Sequence, residues 1–277
     1  MFFSIFSPAA ILASEMGTEG TIDVNQGLFV TEENKFNEYN EYVDYESGNT
    51  YEYGNYESVG TYAIEEVIEL FLPLAGDITV TTFTELQDAI NGTLYGDSLI
   101  IAIGADIEFL STLTIVDGAT ITLIADTNWT LMPELSTVPG AFVVNGTLNL
   151  GEENPSLSGS LTITGFSNNA ILVLDSGVFN MYDGEISGNV AASGGGIAIL
   201  GGIFNMYDGE ISDNMASHGG GIAITGGIFN MYGGQITNNE AMSAGGVYLE
   251  EGASFVMNEG TIQGNRADGY SGGGVYL

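Results

Sequence analysis

Residues 177–201 read G-V-F-N-M-Y-D-G-E-I-S-G-N-V-A-A-S-G-G-G-I-A-I-L-G, and residues 202–226 repeat them almost letter for letter. Residues 227–252 repeat the pattern with drift, and 253–277 keep the pattern but not the letters. Phe179, Phe204, Phe229 and Phe255 fall 25, 25 and 26 residues apart. The same phase holds for Met181, Met206, Met231 and Met257, for Ile186, Ile211, Ile236 and Ile262, and for Asn189, Asn214, Asn239 and Asn265. Further along each copy come Ile197, Ile222, Val247 and Val275, then Ile199, Ile224, Leu249 and Leu277.

Within a copy the apolar residues lie two apart, which is the period of a strand and not of a helix. The apolar pieces are short and are separated by Gly clusters, so each copy holds about three strands and three turns. Such a unit cannot bury its inner face alone. Stacking successive units at the strand spacing of about 4.8 Å places like on like and builds a continuous core. The expected fold is therefore all-β: a right-handed, three-sided parallel β-helix of seven or eight coils over residues 78–277. Gly-Gly-Gly at 194–196, 219–221 and 272–274 supplies a tight corner. The Asn at 189, 214, 239 and 265 are expected to form an amide ladder in another corner. A leucine-rich repeat fits the length but not the Leu pattern, and a propeller blade needs more residues.

Upstream the coils are degenerate. Ile171 and Val173 match Ile197 and Ile199, and 142–149, 161–169, 113–115 and 121–124 are further strand-like pieces. Thr82-Phe83-Thr84-Glu85 has capping-box spacing and is followed by Leu86, Ala89 and Ile90 on one face, with Asn91-Gly92 as a stop. A short helix there would cover the open apolar end of the first coil, as a solenoid requires. The sequence ends at Val275-Tyr276-Leu277 in mid-repeat, so the solenoid is expected to be truncated at its C-terminus.

Charge sets further bounds. The 277 residues hold 36 Asp and Glu against 2 Lys and Arg, a formal net charge of −34. With only Lys35 and Arg266, the chain cannot neutralise a row of phosphates, which excludes nucleic acid as a partner. The absence of Cys removes disulfides, thiol chemistry and Cys-based zinc sites. Residues 17–77 form an acidic, Tyr- and Glu-rich stretch, whose tract 37–62 has few aliphatics, and it is expected to be a disordered or extended linker. The apolar opening, 1–16, reads either as a truncated or unusual secretory signal or as no signal, since it carries no Lys or Arg. No later apolar run is long enough to span a membrane as a helix.

The elements Gly194-Gly195-Gly196-Ile197, Ile186-x-x-Asn189 and Phe166-Ser167-Asn168-Asn169 resemble the G-G-x-[IV] and F-x-x-N elements of polymorphic outer-membrane protein repeats. The capping helix followed by Gly96-Asp97-Ser98-Leu99-Ile100-Ile101 and Leu113-Thr114-Ile115 looks like the opening of pectate-lyase-like β-helices in bacterial surface proteins. The resemblance covers about 78–277 and rests on structural motifs. It implies a secreted or cell-surface, adhesin-like bacterial protein that presents a repetitive face to a glycan or protein. The sequence shows neither a translocator barrel nor a wall-sorting signal, which leaves the anchoring mode open.

The alternative is a carbohydrate-active β-helix enzyme, either a polysaccharide lyase or polygalacturonase-like. Lyase chemistry needs a basic group, and only Arg266, in the 265–268 turn, is at hand. Glycoside hydrolysis needs paired carboxylates. Asp213 and His218 faintly suggest a polygalacturonase arrangement, but aligned copies place Gly188 and Asn238, then Ser193 and Ser243, at these positions. They vary as solvent-facing turn positions should, so no catalytic residue is assigned, although 98–170 could hold a carboxylate cluster. For ligand binding, Tyr182, Tyr207 and Tyr232 should form an outward aromatic ladder beside Asn180, Asn205 and Asn230. For a metal, Asp183 and Glu185 stack against Asp208 and Glu210, where Ca²⁺ would relieve repulsion; the competing reading is that the carboxylates splay into water. No other cofactor is implied. A third reading ties the acidity to a high-salt habitat.

Overall fold

Alternation at period two turns into strands wherever a Gly- or Asn-rich corner lets the chain change direction, and here it does so on every side of each coil. The computed structural model describes the strands Glu41–Val43 and Thr50–Glu52, together with residues 78–153, 157–269 and 272–277. The chain divides into two compact units, 1–71 and 72–277. In the first, Glu41–Val43 and Thr50–Glu52 pair antiparallel, with Tyr42 opposite Tyr51. The signal reading of 1–16 and most of the linker reading of 17–77 lie outside the described residues.

In the second unit all strand pairing is parallel and coil to coil. One sheet has eight strands, running from Ile78–Val80 through Val178–Met181 and Ile203–Met206 to Ser254–Met257. A second has seven, from Ile107–Phe109 through Glu185–Ser187 and Glu210–Ser212 to Thr261–Gln263. The third also has seven, from Leu113–Ile115 through Ile197–Ile199 to Val275–Tyr276. This is the parallel β-helix that the repeat predicts. The last coils add a fourth side, a ribbon of Met215–His218, Glu240–Ser243 and Arg266–Ala267. Arg266 thus sits in a strand and not in a turn. Ala216 and Ala241 face inward there while Met215 and Met242 face water, an alternation short enough to pass for a loop in the sequence.

Register follows the repeat residue by residue. Phe179 pairs with Phe204 and Phe204 with Phe229, and all three are fully buried. Their rings stack near-parallel at 5.0 and 4.8 Å, and Phe255 continues the column at 4.8 Å. Met181–Met206–Met231 and Ile186–Ile211–Ile236 form further buried columns. The degenerate upstream coils pack differently: Phe109 meets Phe142 and Phe166 edge-on at 5.4 and 5.6 Å.

The helix Phe83–Gly92 (α1) starts where the capping box puts it. Thr82 Oγ1 accepts from Glu85 N–H at 3.3 Å, and the Glu85 carboxylate accepts from the N–H of Thr82 and of Thr81. The Thr81 backbone bond foremost, with the Thr81 and Thr82 hydroxyl bonds beside it, holds the Glu85 carboxyl below its ordinary range. Phe83, Leu86 and Ile90 are buried, and α1 packs on the first strands of all three sheets.

Two corner positions explain the residue types. Gly188, Asp213, Asn238 and Gly264, at one step of successive coils, all have positive φ, from 54° to 67°. Only Gly, Asn and Asp adopt this backbone readily, so the variation at Asp213 is turn chemistry. At Gly220 the demand is space: a methyl there would run into the carbonyl oxygens of Glu240 and Gly245 in the next coil. Gly220→Ala is therefore expected to cost about 1–3 kcal/mol by forcing coils apart. Gly92→Ala, at an open helix end, should be neutral or slightly stabilising. Urea denaturation of the two variants checks the contrast, and equal midpoints would refute it.

Candidate functional site

Between the buried Phe and Met of three successive coils of the first sheet lies an Asn, which the pleat must turn outward. Asn180, Asn205 and Asn230 do face out, half-buried, in one row. Each amide nitrogen donates to the amide oxygen of the preceding coil: Asn230 to Asn205 at 2.9 Å, Asn205 to Asn180 at 2.8 Å, and Asn180 to Asn149 at 2.8 Å. Asn149 in turn donates to Thr122 Oγ1 at 2.9 Å. The row thus reaches two coils beyond the near-identical repeats. Thr147-Leu148-Asn149-Leu150 has the same alternation as Val178–Met181, and that was the available signal in a coil whose letters differ.

One residue past each inward Met stands a Tyr. Tyr182 and Tyr207 stack at 4.7 Å and 4°, Tyr207 and Tyr232 at 5.1 Å and 11°. Tyr207 is 40% and Tyr232 42% exposed, so the column is a surface feature whose ring faces are nonetheless covered by one another. Burial in the stack, then the adjoining Tyr182 and Tyr232 and Glu153, pushes the Tyr207 phenol above its ordinary value. On the other side of the amides, Val178, Ile203 and Ile228 form an aliphatic row.

The four carboxylates proposed from the sequence lie together round the next corner. Asp183, Glu185, Asp208 and Glu210 line a shallow groove of ≈ 320 Å³ with Asn128, Thr162 and Gln235. Glu185 pairs in register with Glu210, yet each carboxylate accepts a hydroxyl from the following coil: Glu185 from Ser212 at 3.4 Å and Glu210 from Thr237 at 2.6 Å. Asp208 accepts from the Gly209 N–H at 2.8 Å. Among the described residues, no three Asp, Glu, His or Cys side chains converge as metal ligands would.

The enzyme-directed residues are spread out. His218 lies in the fourth ribbon, in register with Ser193 and Ser243, its ring tilted on Tyr248 at 5.1 Å. Arg266 is bound by Asp268 at 2.7 Å and Glu240 at 3.4 Å in open solvent, and the Asp268 bond foremost raises its pKa further. In 98–170, Asp106 accepts from the Thr130 N–H, and Asp126 from the Thr127 N–H and the Trp129 indole. Among the described residues no helix is long and apolar enough to cross a membrane.

No protein-family model, curated protein or solved structure matches the chain. The parallel solenoid implied by the repeat resemblance is present; the family itself gains no support from these comparisons.

Proposed function

We propose that the protein is a non-catalytic, adhesin-like β-solenoid, secreted or displayed on a bacterial cell surface, which binds a glycan or protein on the outer face of its first sheet. The observation that carries this reading is the pair of amide and phenol rows, unbroken over three successive coils on one face. Catalysis concentrates its groups at one point, whereas a repeated face multiplies weak contacts. The carboxylates of 98–170 named above serve turns and strand edges, and Asp213 serves a corner, which supports the same reading. No cofactor belongs to it.

The test is binding of the full chain to arrayed glycans and arrayed extracellular-matrix proteins, with product release from polysaccharides assayed in parallel. Binding to at least one array is expected, reduced about tenfold or more in Tyr207→Ala, where the stack is broken at its centre while the sheet persists. A chelator should leave binding unchanged. Binding lost on chelation and restored by Ca²⁺ would instead move the site to Asp183, Glu185, Asp208 and Glu210. Turnover of a polysaccharide, or no binding to either array, would overturn the proposal.

A further inference from the structure

The face described above has a chemical character that names its ligand. Its three outward rows (aliphatic, amide, phenol) hold no charged side chain, although the chain carries a net charge of −34. Acidic side chains begin immediately beyond the phenols, at the exposed Asp183 and Asp208. A charge-depleted strip with aromatic side chains and an acidic border has the composition of a binding face with its rim.

We infer that this strip binds an uncharged, extended polysaccharide lying along the solenoid axis, and that it recognises the chain through hydroxyl and amide hydrogen bonds and not by stacking on aromatic rings. The inference rests on the binding role proposed above and specifies its ligand. Stacking is unavailable at the centre because Tyr207 has Tyr182 on one face and Tyr232 on the other, at 4.7 and 5.1 Å. A sugar reaching this row meets ring edges and hydroxyls. The amide row supplies the rest. Each Asn has two N–H donors and two carbonyl lone pairs, and the coil-to-coil bonds use one N–H of each. The second N–H and a lone pair are left on each of these three coils, beside a phenol that both donates and accepts. The same set recurs on the three coils that carry Asn180 and Tyr182, Asn205 and Tyr207, and Asn230 and Tyr232. A polymer with hydroxyls on every unit is therefore held by three successive coils, and affinity grows with its length until it spans them.

Charge selects among polysaccharides. A polyuronate or sulfated chain would run beside Asp183 and Asp208. Arg266, which could answer it, is tied to Asp268 and Glu240. A cationic chain would go to the carboxylate groove instead, and its binding would fall steeply with salt.

The test titrates the full chain by calorimetry with neutral gluco-, xylo- and N-acetylchito-oligosaccharides of increasing length, with polygalacturonate and chitosan as charged comparators. Affinity for at least one neutral series should rise with length and change little with salt. Tyr207→Phe keeps the stack and removes one hydroxyl; it should weaken binding about fivefold. Asn230→Ala, at the end of the amide row, should weaken it comparably with little effect on stability. Binding of chitosan or polygalacturonate alone, or neutral binding undiminished in both variants, would overturn the inference. If the arrays show a protein ligand and no neutral glycan, this inference falls while the binding role stands. No binding to either array removes both.

Discussion

Asn214→Leu is expected to destabilise the solenoid by about 3–5 kcal/mol, although the side chains are close in size. Asn214 is 1% exposed. Its amide donates to Ile186 O at 2.8 Å and to Asn239 Oδ1 at 3.0 Å. Its oxygen accepts from both the backbone N–H and the amide of Asn189, each at 3.0 Å. Leucine would leave the Asn189 donors and the Ile186 carbonyl without these partners, where water cannot replace them, and each such loss costs about 1–3 kcal/mol. Asn214→Asp separates donors from acceptors. Its carboxylate could still accept from Asn189, but it would face the oxygens of Ile186 and Asn239, so burial and repulsion raise its pKa above the unfolded value of about 3.9. The folded variant then holds a proton that the unfolded chain has released. The proton's stabilising contribution is complete below the unfolded pKa and is lost as pH rises through the raised folded pKa. Thermal unfolding across pH should show Asn214→Asp regaining stability in acid relative to the native protein, with Asn214→Leu showing no such recovery. A midpoint within experimental error of the native one for Asn214→Leu would mean that the ladder is decorative.

Phe204→Ala is expected to cost about 3–5 kcal/mol. The ring is fully buried between Phe179 and Phe229 at 5.0 and 4.8 Å, and a cavity there is walled by two parallel rings whose backbones are held in register by the sheet. The coil cannot close round the void without breaking that register, so little relaxation offsets the loss. Phe255→Ala should cost distinctly less, because Phe255 is only partly buried. Denaturant melts of the two variants check the order. Equal losses would mean that the columns do not act as continuous stacks.

The sequence alone reached the repeat, the strand period, the inward columns, the amide ladder at 189, 214, 239 and 265, and the capping box of α1. Each of these is set by local chemistry or by spacing, and in a solenoid a spacing of one coil is a contact. Spacing also placed the Tyr and outer Asn rows and grouped the four carboxylates. The tertiary structure decided what those groups do to one another. It closed the faces of Tyr207, extended the outer amide row to Asn149 and Thr122, gave Glu185 and Glu210 a hydroxyl from the following coil, and folded 215–218, 240–243 and 266–267 into a fourth ribbon. The physical reason is one of dimension. A one-dimensional repeat says which residues sit at the same height of neighbouring coils, but ring tilt, hydrogen-bond direction and the partner of each polar group depend on how far adjacent coils rotate and how each corner closes.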